Sequence, residues 1–177
     1  MSKRAYAKEI NRCEVFSMKF KVVDQLDKFG FRDVQLSACE LTDGVLRMTM
    51  AGAISKYNNP CNERYQDWYI LEAYARFEGA EITNCYKEGM KYYDANNVLL
   101  EEIPDEPISA ADYDTTLKLC KDGIMFVLLS KEDSADGKKC VEIAIDIEEN
   151  NDTYWVEFTY DRVIIEWDRY ANKVVES

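Results

Sequence analysis

Lys139-Cys140-Val141-Glu142-Ile143-Ala144-Ile145-Asp146-Ile147-Glu148 is the stretch on which the fold turns. Val141, Ile143, Ile145 and Ile147 alternate with Glu142, Ala144, Asp146 and Glu148. Successive side chains of a strand point to opposite faces, so the first set is directed at a core and the second at water. The segment is predicted to be a half-buried antiparallel strand with one wet face.

Working outward, the neighbours repeat the pattern. Ile124 to Lys131 precedes a turn at Ser134-Ala135-Asp136-Gly137. Asn150-Asn151-Asp152 leads into Thr153 to Tyr160, and Arg162 to Tyr170 follows. Further upstream, Arg32 to Leu41 and Val45 to Ile54 flank Thr42-Asp43-Gly44, and Asp-Gly between apolar runs is a strong hairpin signal. A polar loop from Lys56 to Asp67 comes next. Trp68 to Glu78 then reads as one strand, with Tyr69, Leu71, Ala73, Ala75 and Phe77 on one side. Gly79 is expected to turn the chain so that Ala80 to Lys87 pairs back on it. Tyr92 to Leu100 reads as a short hairpin turning at Asn96-Asn97, because Asn tolerates left-handed backbone.

Two helices complete the reading. Ser109 with Asp112 resembles an N-terminal cap and Gly123 stands where a C-terminal cap should, which predicts a short helix at about 110–121. The opening is two-sided. Tyr6, Ile10, Cys13, Phe16, Phe20, Val23 and Leu26 recur at helical spacing, whereas Phe16, Met18, Phe20 and Val22 alternate as a strand would. The length of the first pattern and the stop at Gly30 favour helix. No segment supplies the crossover helices of a parallel sheet. The expectation is an α+β fold, mainly antiparallel β, with about eight strands in two meanders and a single domain over 1–177. Curved sheet, sandwich and open barrel all satisfy it.

Charge narrows the partners. The 177 residues carry 22 basic and 34 acidic side chains and no histidine. Residues 1–100 hold 14 of each sign, so the net −12 arises entirely in 101–177, with 8 basic and 20 acidic. Such a surface repels nucleic acid and anionic membrane, whose affinity comes from Lys and Arg. A basic protein partner fits it. The missing imidazole removes histidine-dependent triads, His metal sites and the commonest general base. No apolar run reaches the ~20 residues of a membrane span, and charged residues interrupt the opening as they would not in an export signal. A cytoplasmic protein is expected. Cysteines at 13, 39, 61, 85, 120 and 140 then remain reduced. None forms a C-x-x-C pair, so no metal or other cofactor is expected. Cys61, in Asn58-Asn59-Pro60-Cys61-Asn62, is predicted to be the most exposed thiol.

Two constellations merit weighing. Glu142, Asp146 and Glu148 share a strand face, and Glu157 and Glu166 lie on strands expected to be neighbours, with Trp155 and Trp167 among them. Paired carboxylates ~5–9 Å apart suffice for a glycosidase, so a carboxylate-only hydrolase is conceivable. Alternating acids are also what any soluble sheet presents to water. The second constellation is aromatic: Tyr57, Tyr65, Trp68 and Tyr69 surround the long loop, and Tyr and Trp favour interfaces. Asp94-Ala95-Asn96-Asn97 opens like a calcium loop but has Leu99 where that loop needs glycine.

Phe29-Gly30-Phe31-Arg32-Asp33-Val34-Gln35-Leu36, followed by Thr42-Asp43-Gly44-Val45-Leu46, resembles the opening hairpin of small uncharacterised bacterial β-rich domains. Some of these are similar to immunity proteins of bacterial toxin systems. Arg32-Asp33 stands where such openings carry His-Asp, so no histidine role transfers. The functional expectation is a non-enzymatic binding module, immunity- or adaptor-like, for a basic protein. Its candidate contact residues are Glu148, Trp155, Glu157, Glu166, Trp167, Tyr65 and Trp68. The alternative is a small-ligand domain with an apolar pocket lined from Tyr69–Phe77 and Val141–Ile147.

Overall fold

The structure, a computed structural model, describes residues 18–175. Its strands are β1 Phe20–Val23, β2 Phe29–Gly30, β3 Val34–Thr42, β4 Val45–Ala51, β5 Ile54–Ser55, β6 Trp68–Ile70, β7 Ala73–Glu78 and β8 Glu81–Lys87. They continue with β9 Met90–Tyr93, β10 Leu99–Ile103, β11 Glu106–Pro107, β12 Ile124–Ser130, β13 Lys139–Ile147, β14 Asp152–Tyr160, β15 Arg162–Trp167 and β16 Tyr170–Lys173. One α-helix, α1 Tyr113–Leu119, follows a single 3₁₀ turn at Ala110–Asp112. Mainly antiparallel β is therefore correct, and every strand pairing among the described residues is antiparallel.

The ten-stranded sheet runs β1-β15-β7-β4-β3-β12-β13-β14-β8-β11 and does not close into a barrel. It folds into two leaves. β7 and β8 are the arms of one bent strand, and β14 and β15 are the arms of another, turning through Asp161. The two bent strands pair along their length, Arg162 with Glu78 on one side of the bend and Thr159 with Glu81 on the other. Gly79 sits in the bend with φ +67, and a Cβ there would overlap the Asp161 carboxylate. Bends of this kind carry strands from one packed sheet to another. Phe77 on the first leaf meets Phe158 and Tyr160 on the second edge-on, each with ring centroids 5.1 Å apart. Leu36, Leu46, Met48, Met50, Ile143 and Ile145 fill the space between the leaves.

Four expectations need correction. Among the described residues sixteen strands replace eight, because short strands at bends and edges escape a periodicity reading. Phe20–Val23 pairs with β15 and Leu26–Lys28 is a 3₁₀ turn, so no helix runs through this part of the opening. The rest of the predicted N-terminal helix lies outside the described residues. Trp68 to Glu78 is two strands in different sheets: β6 joins the four-stranded sheet β16-β6-β5-β2, and the break leaves Leu71 exposed while Ile70 is buried. Ala80 to Lys87 does not pair back on β7 but continues past the bend to β14.

Local signals are met. Asp43 and Gly44 both adopt left-handed backbone between β3 and β4, and Asn97 does so between β9 and β10. At the end of α1 the left-handed residue is Asp122, not Gly123. Gly123 is needed for a different reason, since a Cβ would press within 3 Å of Ile145, Ile147 and the Asp146 carbonyl. Val141, Ile143 and Ile145 are inward and fully buried, as expected. The opposite face of β13 is drier than expected, because Ala144 is also fully buried beneath flanking aromatic rings.

Candidate interaction site

The outer face of the second leaf carries a row of rings. Trp155 on β14 is in register with Tyr86 on β8 and Ala144 on β13. The Trp155 and Tyr86 rings lie stacked with centroids 6.3 Å apart, and Phe126 on β12 meets Trp155 edge-on at 6.2 Å. Carboxylates frame this row. Trp155 donates its indole N–H to Glu88 at 3.1 Å. One step along, Glu142 and Glu157 stand directly opposite each other, an unfavourable pairing of like charges. Lys131 approaches Glu142 at 3.2 Å and the Thr83 hydroxyl donates to Glu157 at 2.8 Å. Burial pushes the Tyr86 hydroxyl above its ordinary range, and Glu142, Asp105 and Glu88 push it further, which records the negative field over this face. The Cys140 thiol is raised in the same way, by burial first and then by Glu157.

Next to this face projects the β9–β10 hairpin. Gly89, at its base, donates its backbone N–H to Asp105. Met90, Tyr92, Tyr93, Leu99, Leu100 and Ile103 are all exposed, Leu100 by 68%. The register places Tyr92, Met90 and Ile103 on one side with Glu101, and Tyr93 and Leu99 on the other with the Lys91–Glu102 ion pair. Neither side is a wet face, and neither is covered by the described residues. Large apolar side chains left exposed together beside charged ones mark a contact region, and a lone two-stranded hairpin has little stability of its own. Glu88, Asp94, Glu101, Glu102, Asp105 and Glu106 all fall within residues 88–106, whose one basic residue is Lys91, with Lys87 opposite Glu106 at the base. From sequence these residues are expected only to form a short hairpin, not a contact surface. The overlooked signal is the lack of alternation in Tyr92-Tyr93 and Val98-Leu99-Leu100, which must put apolar side chains on both faces.

The residues named from sequence are dispersed. Trp155 and Glu157 lie together on the outer face of the second leaf, and Glu148 lies beyond the end of β13, exposed. Glu166 lies on the outer face of the first leaf, paired with Lys21 at 3.4 Å. The expectation that its strand neighbours that of Glu157 is wrong, because the bend at Asp161 sends β15 to the other leaf. Trp167 is fully buried against Phe20, Phe29 and Tyr170 and offers no surface to a partner. Tyr65 is 88% exposed with φ +58, and Trp68 is half-buried. The Arg64 guanidinium lies over both Trp68, at 4.9 Å, and Tyr170, at 4.2 Å.

That loop is firmly built. Buried Asn62 donates to the carbonyls of Ser55, Lys56 and Gln66, and Tyr170 donates to that of Cys61. Tyr57, Tyr65, Asp67 and Lys173 border an open cleft of about 550 Å³. Cys61 is half-buried, whereas Cys39, Cys85, Cys120 and Cys140 are buried, and all five are free thiols. Cys13 lies outside the described residues. Asp94 caps its own turn, accepting the backbone N–H groups of Asn96 and Val98. Among the described residues no three Cys, Asp or Glu side chains converge as a metal site would, and no helix is long and apolar enough to cross a membrane. No family model matches the sequence, and no curated protein or solved structure matches it either.

Proposed function

We propose that the chain is a non-enzymatic binding module that holds a basic protein against the β9–β10 hairpin and the adjoining Phe126–Trp155–Tyr86 face, as an immunity or adaptor protein of the bacterial cytoplasm would. The observation that carries this reading is the hairpin, whose large apolar side chains lie open on both faces in a segment with six carboxylates and one lysine between residues 88 and 106. Apolar area supplies affinity on desolvation, and the carboxylates supply steering and selection for a cationic partner. The opposed Glu142–Glu157 pair adds to this, since an incoming Lys or Arg would relieve it. Glu166 and Trp167 take no part.

The small-ligand alternative requires an interior space that Phe77, Ile143, Ile145 and Phe158 occupy. The hydrolase alternative requires two working carboxylates, and Glu142 and Glu157 are engaged by Lys131 and Thr83.

The test compares the full chain with a variant carrying Tyr92→Ser, Leu99→Ser and Leu100→Ser, each immobilised and offered an extract of the native cell. A basic protein retained by the first and lost by the second is expected. Its retention should also weaken with salt, as the Debye length falls from ~10 Å at 0.1 M to ~3 Å at 1 M. Equal retention by both chains, insensitive to salt, would move the contact to Tyr65 and Trp68.

A further inference from the structure

The ten-stranded sheet has one incomplete joint. β3 and β12 are in register only at Val34 with Met125 and Gln35 with Ile124. Continued in that register, residues 29–33 would lie along Phe126–Ser130. Instead Asp33 takes left-handed backbone with φ +58, and Phe29-Gly30 pairs with Ile54-Ser55 in the smaller sheet. The chain thus diverges from β12 and leaves an open slot of about 410 Å³ between Phe29–Arg32 and Phe126–Ser130, with Lys56 beside it.

The β12 wall of the slot is a strand edge, whereas on the β2 wall the Phe29 N–H is already given to the Leu26 carbonyl. The Lys131 N–H donates to the Cys140 carbonyl, so Lys131 faces β13. Antiparallel alternation then turns the N–H and C=O of Leu128 and Ser130 into the slot. Across from them, β2 is the outermost strand of its own sheet. Among the described residues no strand lies between them. The two ends of the large sheet are blunted in the usual ways: β11 is two residues ending in Pro107, and β1 is four residues bearing Lys21. Phe126-Val127-Leu128-Leu129-Ser130 carries neither charge nor proline.

We propose that this slot accepts an extended segment of a partner protein, which adds as a strand antiparallel to β12 and lies beside β2. A polypeptide backbone offers donors and acceptors at the strand repeat, so the free β12 edge itself specifies the occupant's chemistry. The free edge of β12 matches about five residues, roughly 17 Å of strand. Inward positions of the segment are apolar, facing Leu26 and Leu128. A carboxylate on the segment suits Lys56, whose ammonium donates only to the Asp27 carbonyl at 2.8 Å among the described residues. The slot and the hairpin are built from different strands, so the two sites are separable and neither proposal depends on the other.

The test selects a displayed library of random linear peptides on the full chain, then resynthesises the best binder with and without N-methyl groups on alternate amides. Amide hydrogen exchange is followed in the full chain. The unmethylated peptide should slow exchange at Leu128 and Ser130 at least tenfold, and the methylated one should not bind. Ser130→Pro, which removes one donor facing the slot, should weaken binding roughly tenfold, the effect of one backbone hydrogen bond. The methylated peptide keeps the test valid if that variant folds poorly. The proposal is overturned if the library yields no binder, if binders protect only the β9–β10 hairpin, or if methylation changes nothing. Protection of both amides before peptide is added would also overturn it, as would a homodimer that Ser130→Pro dissociates.

Discussion

Val141, Ile143 and Ile145 on β13 and Tyr92, Leu99 and Leu100 on the β9–β10 hairpin draw on similar residue types, yet they have opposite fates. The first three are fully buried between two leaves. The second three are 45–68% exposed, on a hairpin that belongs to neither leaf. The difference lies in pattern, not in hydrophobicity. Strict alternation gives β13 one face to bury, and consecutive apolar residues deny the hairpin a face it could turn to water. The core side chains stabilise the fold; the hairpin side chains are available to something else.

The sharpest way to break this contrast is on the core side. Ile145→Asp would place an unpaired carboxylate between the leaves and should unfold the chain, costing more than about 4 kcal/mol. Circular dichroism of the variant checks it, and a native spectrum would mean that β13 does not face a core.

Smaller in effect, Gly79→Ala tests the bend that separates the leaves. The left-handed φ and the Asp161 carboxylate both oppose a Cβ, so denaturant titration should register a loss of about 1–3 kcal/mol. A neutral result would imply that the bend relaxes freely.

Alkali should loosen the buried side without touching the hairpin. Burial pushes the Tyr160 hydroxyl from 10.0 up to about 12, and the Cys85 and Cys120 thiols from 9.0 up to about 11 and about 12. Each group ionises earlier in the unfolded chain than in the folded one. Their contribution is therefore complete below pH 9 and is lost as pH rises through 9–12. The Tm should fall steadily over that window, and a flat profile would contradict the burial of these groups.

The smallest effect is expected at Asp146→Asn. Thr153 donates to one Asp146 oxygen at 2.6 Å, and the asparagine carbonyl can accept the same bond. Stability should change by less than about 0.5 kcal/mol.

What was legible in the sequence was what is decided locally. Asp43-Gly44, Asn97 and the alternation of β13 each determine their geometry within a few residues, and the structure agrees. The helix at 113–119 was legible in position but not in its caps, since Ser109 and Asp112 make no side-chain capping bond and the left-handed residue is Asp122. Illegible were decisions made between distant segments. Phe20–Val23 becomes a strand because Ile164–Trp167 is there to receive it. The bends at Gly79 and Asp161 look like hairpin turns, since a tight reversal and a sharp corner need similar residues. That ambiguity misled the candidate site as well. The corner at Asp161 parts Glu157 from Glu166, whose strands the sequence suggests are neighbours, and sends Trp167 into the core. Trp155 and Glu157 were legible because they lie within one uninterrupted strand.

The contrast between the two regions rests on the hairpin's side chains serving contact and not the fold, and the thermal midpoint of the full chain carrying Tyr92→Ser, Leu99→Ser and Leu100→Ser tests that most directly. Exposed side chains away from the core contribute within about 0.5 kcal/mol each, so with three replaced the Tm should stay within about 5 °C of the unsubstituted chain. A fall of about 10 °C or more would show that these residues hold the fold together, and would contradict the account.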